Sequence, residues 1–420
     1  MSVQFLWLYI SLWILVLLWY LRKHKVFGVG GVLISSYLFY AIVALVLYTN
    51  PIARGLYKDL QLFPFLYLFV MLLIASLPVI QYDNGKIRNI SSPNLNLLYS
   101  ISSAYIIATC IQLPDTLLNI GDGIGKIIAD PSGGAELYTE AHENVKRTTF
   151  GQITNIFAVI HNLLSDISIM FFFYLLSLKK QKKWIIIGFV AAMIIDILYP
   201  LSRGLRTGAT MKILTIVAAY FAIKPFLDKR IKKIAKRIGI VLLFFLMTPF
   251  VLITISRFGH WEGGALYGTE YYLGQAPLRF NNYALDDGGI RYGDRTASLF
   301  KGLIYNDVPK TIMEGRAKYP NLLLDDSGFS TFVGDFAIDY GSMGAFLLFV
   351  VFSLFTCLKT RPSKGTIKFH QLLLSYFAMC VCFQGGMYLF NYAYGANLVI
   401  ITFAALYFIF KMTESREQVA

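Results

Sequence analysis

Acidic residues are scarce. The 420-residue chain carries 24 Asp and Glu against 38 Lys and Arg, a formal net charge of +14, and only 15% of its residues are charged at all. Histidine (5) and cysteine (4) are rarer still. Cys110, Cys357, Cys380 and Cys382 all fall in apolar runs, and the lone C-x-C lacks the partners of a metal site. No disulfide framework or thiolate metal centre is indicated; four small buried hydrophobes are expected instead. There is no internal repeat and no low-complexity tract. No positive segment precedes the first apolar run. Its charges, Arg22, Lys23 and Lys25, follow it, which reads as an uncleaved anchor rather than a signal peptide. With 56% hydrophobic residues and a mean hydropathy of +0.59, the chain is too apolar for a soluble globular protein.

What is present is long apolar runs. A run of about 18 or more apolar residues crosses a hydrocarbon core about 30 Å thick. Eleven such runs are expected, at roughly 3–21, 27–48, 62–80, 97–113, 152–178, 184–200, 209–227, 238–256, 329–358, 369–390 and 394–410. Helices are the sensible form, because every backbone polar group inside a span must be satisfied internally. The chain thus reads as an all-α polytopic membrane protein, one integral membrane domain over 1–420. Its basic residues sort by loop. "RKHK" at 22–25, Lys86 with Arg88, "KKQKK" at 179–183, "DKRIKKIAKR" at 228–237, "KTRPSKGTIK" at 359–368, and Lys411 with Arg416 hold 21 of the 38. The intervening short loops hold only Arg54, Lys58, Arg203 and Arg206. The positive-inside rule then places the N-terminus outside and the C-terminus in the cytoplasm. The net charge is accounted for by topology signals beside anionic lipid, without nucleic acid.

The cytoplasmic loops are too short for a catalytic domain, so function is expected in two long outer segments, 114–151 and 257–328. The first holds Glu136, Glu140, His142 and Glu143 on a possible surface helix, at spacings that match no standard metal motif. The second, a cap of some 70 residues, interleaves basic residues (Arg257, Arg291 and Arg295 among them) with Trp261, Tyr267, Tyr271, Tyr272, Tyr292 and Tyr305. Sugars present CH faces that stack on aromatic rings, and anionic phosphates accept bidentate arginine forks.

Two further stretches carry candidate chemistry. In "YPLSRGLRTGAT", Arg203 and Arg206 stand three apart beside Gly204 and Gly208 at an outward mouth between spans. An arginine at the bilayer centre costs about 2.5–3.5 kcal/mol on insertion scales, so such residues sit at the interface, in pairs or in a wet cavity. Asp196 is the nearest acid in sequence. The two readings are an interfacial arginine reaching lipid phosphate and a cradle for a phosphate or pyrophosphate headgroup. In "FVGDFAIDYGSMGAFLLFVVF", Asp335 and Asp339 are i,i+4 and share a helix face. They are either a general base or salt partners for the arginines. His161 and Asp166 lie in one span about 140° apart around the helix, so they do not share a face; His161 is expected to be a satisfied buried histidine.

The "SRG" following a span and the late "GDFAIDYGSMGAFLLF" resemble bacterial oligosaccharide repeat-unit polymerases, the Wzy-type O-antigen and capsule polymerases. The resemblance covers the whole chain in topology and these two stretches in sequence. It implies a bacterial inner-membrane enzyme of GT-C-like architecture that works on the periplasmic face, without a nucleotide sugar, metal or other cofactor. One undecaprenyl-pyrophosphate-linked glycan would be donor and another lipid-linked repeat unit acceptor. Arg203 and Arg206 would bind the headgroup, and Arg257, Arg291 and Arg295 would be further anion contacts. Asp335, Asp339 and His260, in falling order, would be base candidates. A chain-length-determining co-polymerase and a flippase are implied partners. An O-antigen ligase shares the chemistry and topology. A lipid-linked oligosaccharide flippase or other transporter is a different class; the 70-residue outer loop and the few charges well inside the spans weigh against it.

Overall fold

The computed structural model describes the chain except residues 1, 54, 83–86, 130–132, 134–135, 138–155, 260, 287, 310–311, 325–327, 390–396 and 418–420. The described residues are mostly helical, with two two-residue strands among them. Among the described residues nine helices are long and apolar enough to cross a membrane. They fall on nine of the eleven expected runs. The other two runs, 238–256 and 369–390, fall on helices that are not among the nine. The first of these helices, Lys229–Phe258, begins with a basic stretch, and the second, Phe369–Gly385, has only 17 residues.

By its internal contacts the chain divides into two compact units. Unit 1 comprises Met1–Ser91, Lys146–Thr149 and Thr269–Ile401; unit 2 comprises Ser92–Val145, Phe150–Gly268 and Thr402–Ala420.

In unit 1, α1 (Ser2–His24), α2 (Val29–Thr49) and α3 (Leu62–Tyr82) meet through aromatic rings. Trp13, fully buried, lies 5.1 Å from Tyr37 and 5.0 Å from Phe69 (centroid to centroid), and Tyr9 stacks on Phe65 at 5.1 Å. In lipid no water is expelled when helices meet, so this interdigitation and the hydrogen bonds across helices carry the association. The Tyr37 hydroxyl donates to the Cys382 carbonyl at 2.8 Å, and the Cys382 thiol to the Ala75 carbonyl at 3.1 Å. A parallel pair of two-residue strands, Asn89–Ile90 with Thr366–Ile367, ties the loop after α3 to the loop before the helix Phe369–Gly385.

In unit 2, α4 (Leu95–Ala129), α5 (Ile156–Ser177), α6 (Lys183–Ser202), α7 (Arg206–Ile223) and α8 (Lys229–Phe258) form a bundle. α4 runs 35 residues, through Pro114, so the first part of the segment expected as a loop from 114 is helix. Close approach is set by glycine. A Cβ on Gly123 would sit 1.9 Å from the Ser202 carbonyl oxygen, and one on Gly188 would meet Ile106 at 2.8 Å. The apolar centre at this level is Ile127, Ile197, Leu201, Ala209 and Ile253, one or two residues from each of four helices.

The remaining helices are α9 (Gly264–Arg279), α10 (Ser298–Gly302), α11 (Ile312–Lys318), α12 (Thr331–Lys359), α13 (Phe369–Gly385) and α14 (Asn397–Glu417). α12 is broken at Gly341, whose φ of 72° and ψ of 167° interrupt the helix.

Candidate functional site

The stretch 199–210 is a helix–turn–helix corner. α6 ends at Ser202, the Arg203 and Leu205 amides donate to the Pro200 carbonyl at 3.1 and 2.9 Å, and Gly204 adopts a φ of +69°. That left-handed step is inexpensive for glycine and lets α7 start at Arg206. Arg206 is buried, with 1% exposure. Its Nη1 donates to Thr254 Oγ1 of α8 at 2.8 Å, and its guanidinium lies 4.6 Å from the Phe258 ring centroid. Arg257 lies over the same ring at 5.3 Å, so two guanidiniums share one aromatic ring and lie within about 10 Å of each other. Trp261 packs edge-on to Phe258 at 4.5 Å and neighbours Tyr267 at 6.1 Å. Arg203, on the turn itself, lies 5.8 Å from the Tyr199 ring. Lysine marks the other end of α6: Lys182 sits 4.1 Å over the Tyr99 ring at the start of α4. A 20-residue helix is about 30 Å long, so the arginine and lysine ends of this unit are a bilayer core apart.

Six residues inward from the arginine end on both α6 and α7, roughly 9 Å deep, unit 2 holds a buried ionic network. Asp196 of α6 accepts from Ser165 Oγ at 2.5 Å and Tyr105 Oη at 3.1 Å, and its other oxygen is 2.8 Å from His161 Nε2. His161 Nδ1 is 2.8 Å from Thr109 Oγ1, and the imidazole stacks on Tyr105. Lys212 of α7 donates to Ser165 Oγ at 2.6 Å and pairs with Asp166 at 2.5 Å. His161 and Asp166 thus take different partners, as their angular separation requires. Ser165 and Lys212 nevertheless join them into one set spanning α4, α5, α6 and α7. Asp196, the acid nearest the arginines in sequence, is engaged here. One hydroxyl rotation accommodates either protonation state of His161. With Nε2–H donating to Asp196, Thr109 donates to Nδ1; with both nitrogens protonated, Nδ1–H donates to Thr109, whose hydroxyl then donates to the Tyr105 carbonyl at 2.9 Å.

Unit 1 brings together the other sequence candidates. Arg295 Nε donates to Asp335 Oδ1; both side chains are at most 4% exposed. One turn on, Asp339 accepts from the Arg295 amide at 3.2 Å, the Thr296 amide at 2.6 Å and Thr296 Oγ1 at 2.7 Å. The i,i+4 acids of α12 therefore grip the loop residues 295–296. The Arg291 amide donates to the Ile338 carbonyl at 2.9 Å, and Arg291 Nη2 to the Leu324 carbonyl at 2.7 Å. Asp294 sits between Lys301 (2.5 Å), Lys318 (2.8 Å) and the Tyr319 hydroxyl (2.6 Å), and Lys318 also reaches Asp307 at 2.9 Å. For Lys318, burial pulls the ammonium down, but the hydrogen bonds to Asp294 and Asp307 outweigh it and raise the pKa above the ordinary lysine range. The hydrogen bond from Lys318 holds the exposed Asp307 carboxyl below its usual range.

Comparison of the chain with protein-family models, curated proteins and solved structures returns no match.

The sequence candidates therefore divide. Arg203, Arg206 and Arg257 lie at one end of unit 2. Arg291, Arg295, Asp335 and Asp339 lie in one loop-to-helix junction of unit 1. His260, and most of the segment bearing Glu140, His142 and Glu143, lie outside the described residues. Among the described residues no group of three or more His, Cys, Asp or Glu is arranged to hold a metal ion. Spacing within the sequence did not reveal the network around Asp196 and Lys212, because its members come from four helices. The signal available was that all four ionisable members fall within expected spans, where such residues are functional candidates.

Proposed function

We propose that the chain is a membrane glycosyltransferase that joins undecaprenyl-pyrophosphate-linked oligosaccharide repeat units into a surface polysaccharide on the periplasmic face of the bacterial inner membrane. The observation carrying this reading is the clasp of Arg206 and Arg257 on Phe258, with Arg203 on the adjoining turn, at the end of α6 opposite Lys182. In the proposed reaction an acceptor hydroxyl oxygen bonds to the donor's anomeric carbon, the bond from that carbon to the pyrophosphate oxygen breaks, and the hydroxyl proton passes to a base. Guanidiniums held against aromatic faces would stabilise the anionic charge as it develops on the departing pyrophosphate. Asp335 and Arg295 are assigned the other role open to them, that of salt partners securing the cap loop, and Asp339 secures it through backbone amides. His260 is the remaining base candidate.

The test is the surface glycan of a deletion strain before and after complementation. A glycan of one repeat unit that regains its ladder on complementation supports the polymerase. Absence of any attached repeat units in the deletion strain would point to a ligase or a flippase. The network of His161, Asp166, Asp196 and Lys212 favours the transporter as the second reading, since it places paired ionisable groups inside the spans.

A further inference from the structure

The cap loop of unit 1 lines an open pocket of about 640 Å³ beside the Asp294, Lys301 and Lys318 pairs described above. Its walls are the rings of Tyr292, Phe300, Tyr305 and Tyr319; its polar groups are Lys301, Lys318 and Asp307. The volume falls within the roughly 300–1,000 Å³ usual for small-molecule sites.

The break at Gly341 fixes the depth of this cavity. After it, α12 exposes Met343 (70%), Leu347, Val351 (63%), Leu354 and Leu358, at the spacing of one helix face. Before it, from Thr331 to Tyr340, α12 is buried except for the half-buried Phe336 and Tyr340. The segment 342–359 is roughly 27 Å long, close to the hydrocarbon thickness, so on the topology proposed above Gly341 would mark its outer end. The loop is anchored there: the Arg291 amide bonds to Ile338, and Thr296 Oγ1 lies 3.1 Å from the Tyr340 hydroxyl. Leu303 and Ile304, each 76% exposed, extend the rim of the cavity as bare apolar surface at this level. A site with an apolar rim at the lipid boundary and a polar interior fits a ligand anchored in the membrane by its tail.

The interior chemistry narrows the head of that ligand. Lys301 and Lys318 are matched by Asp294 and Asp307 at 2.5–2.9 Å, so the polar wall carries no surplus positive charge for a phosphate. Ring faces with balanced hydrogen-bonding groups suit a neutral ligand bearing CH faces and hydroxyls. We infer that this cavity binds a sugar ring of a lipid-anchored glycan, at a place separate in sequence and chemistry from the arginine clasp. The inference rests on the proposed function for its naming of this glycan as the acceptor of the transfer. Tyr292 and Tyr305, 71% and 59% exposed, are its stacking platforms.

The test uses the full-length protein in phosphatidylglycerol nanodiscs. The probe is the free oligosaccharide hydrolysed from the surface glycan of the strain carrying the chain, observed by saturation-transfer NMR. Transfer to sugar ring protons is expected for the wild type. Tyr292→Ala and Tyr305→Ala, both changes at exposed positions that leave the fold intact, should each weaken apparent affinity about three- to tenfold. No transfer to the sugar in the wild type, transfer only to nanodisc lipid, or equal affinity in all three proteins overturns the inference. Sugar binding that depends on the two tyrosines, in a protein whose deletion leaves the glycan ladder unchanged, supports the cavity and sinks the polymerase. A restored ladder without sugar binding does the reverse.

Discussion

Asp335→Asn should unfold the cap loop, and a second substitution should rescue it. The Asp335 and Arg295 side chains are 2% and 4% exposed, and Arg295 Nε donates directly to the carboxylate. Asparagine keeps the shape but removes the negative charge that faces the buried Arg295 guanidinium. Breaking a buried pair in this way costs about 3–5 kcal/mol. At about 2–4 °C per kcal/mol for a unit of 150–250 residues, the apparent Tm should fall by roughly 6–20 °C. Replacing both partners with apolar residues of similar size, Arg295→Met with Asp335→Leu, removes both charges and should return the stability to within about 1–2 kcal/mol of wild type. The assay is differential scanning fluorimetry of purified protein, with limited proteolysis of 286–330 reporting the loop and the glycan ladder reporting activity. A stable, active double variant is expected. If instead the double variant is as unstable as Asp335→Asn, the pair is not what holds the loop. If it is stable but makes no ladder, Asp335 or Arg295 takes part in the chemistry and the structural assignment made above is wrong.

Arg203→Ala and Arg206→Ala should each abolish the long ladder at normal protein levels, and Arg203→Lys should fail too if the fork geometry matters; a wild-type ladder in both alanine variants would remove the headgroup role. His260→Ala should likewise lose the ladder, and retention of it would require another base. Gly123→Ala, which places a methyl 1.9 Å from the Ser202 carbonyl, should prevent α4 and α6 from packing, seen as loss of folded protein on size-exclusion chromatography. The Lys318–Asp307 contact should be insensitive to pH between about 5 and 9. Its lysine is raised, so that contribution persists until pH climbs through the folded value, above the ordinary lysine range; its aspartate is lowered, so that contribution fades only as pH drops below the usual carboxylate range. Protease sensitivity of the loop that changed within this window would contradict the pairing. A cysteine at 265 should react with an impermeant thiol reagent from outside and one at 233 should not; the opposite pattern would invert the topology.

Hydropathy was enough to find nine of the eleven expected runs among the described residues as helices long and apolar enough to cross a membrane, because the lipid core imposes length and composition on each helix separately. Local spacing also sufficed for Asp335 and Asp339, whose shared face is a property of one helix. It failed for contacts that join distant segments. Asp196 lies nearest in sequence to Arg203 and Arg206, yet it bonds to His161, Ser165 and Tyr105 from two other helices. α4 passes through Pro114 to Ala129, although proline followed by polar residues reads as the start of a loop. The break at Gly341 is similarly hidden, since the glycines of "YGSMG" serve equally well for close helix packing. Nothing in the spacing of 292–319 announces a cavity, which arises from the way Asp294 gathers two lysines and a tyrosine from separate turns.

The strand pair at Asn89–Ile90 and Thr366–Ile367 has a consequence for biosynthesis. Its first half leaves the ribosome long before its second, with all of unit 2 but its C-terminal segment made in between. Roughly 180 residues separate the two main segments of unit 1, and at about 5–20 residues per second they take some 10–35 s to synthesise. During that interval α1, α2 and α3 stand in the membrane without α12 and α13, their aromatic faces covered only by lipid or by the insertion machinery. Truncations that stop before residue 367 should therefore leave an N-terminal fragment that is inserted but open to degradation.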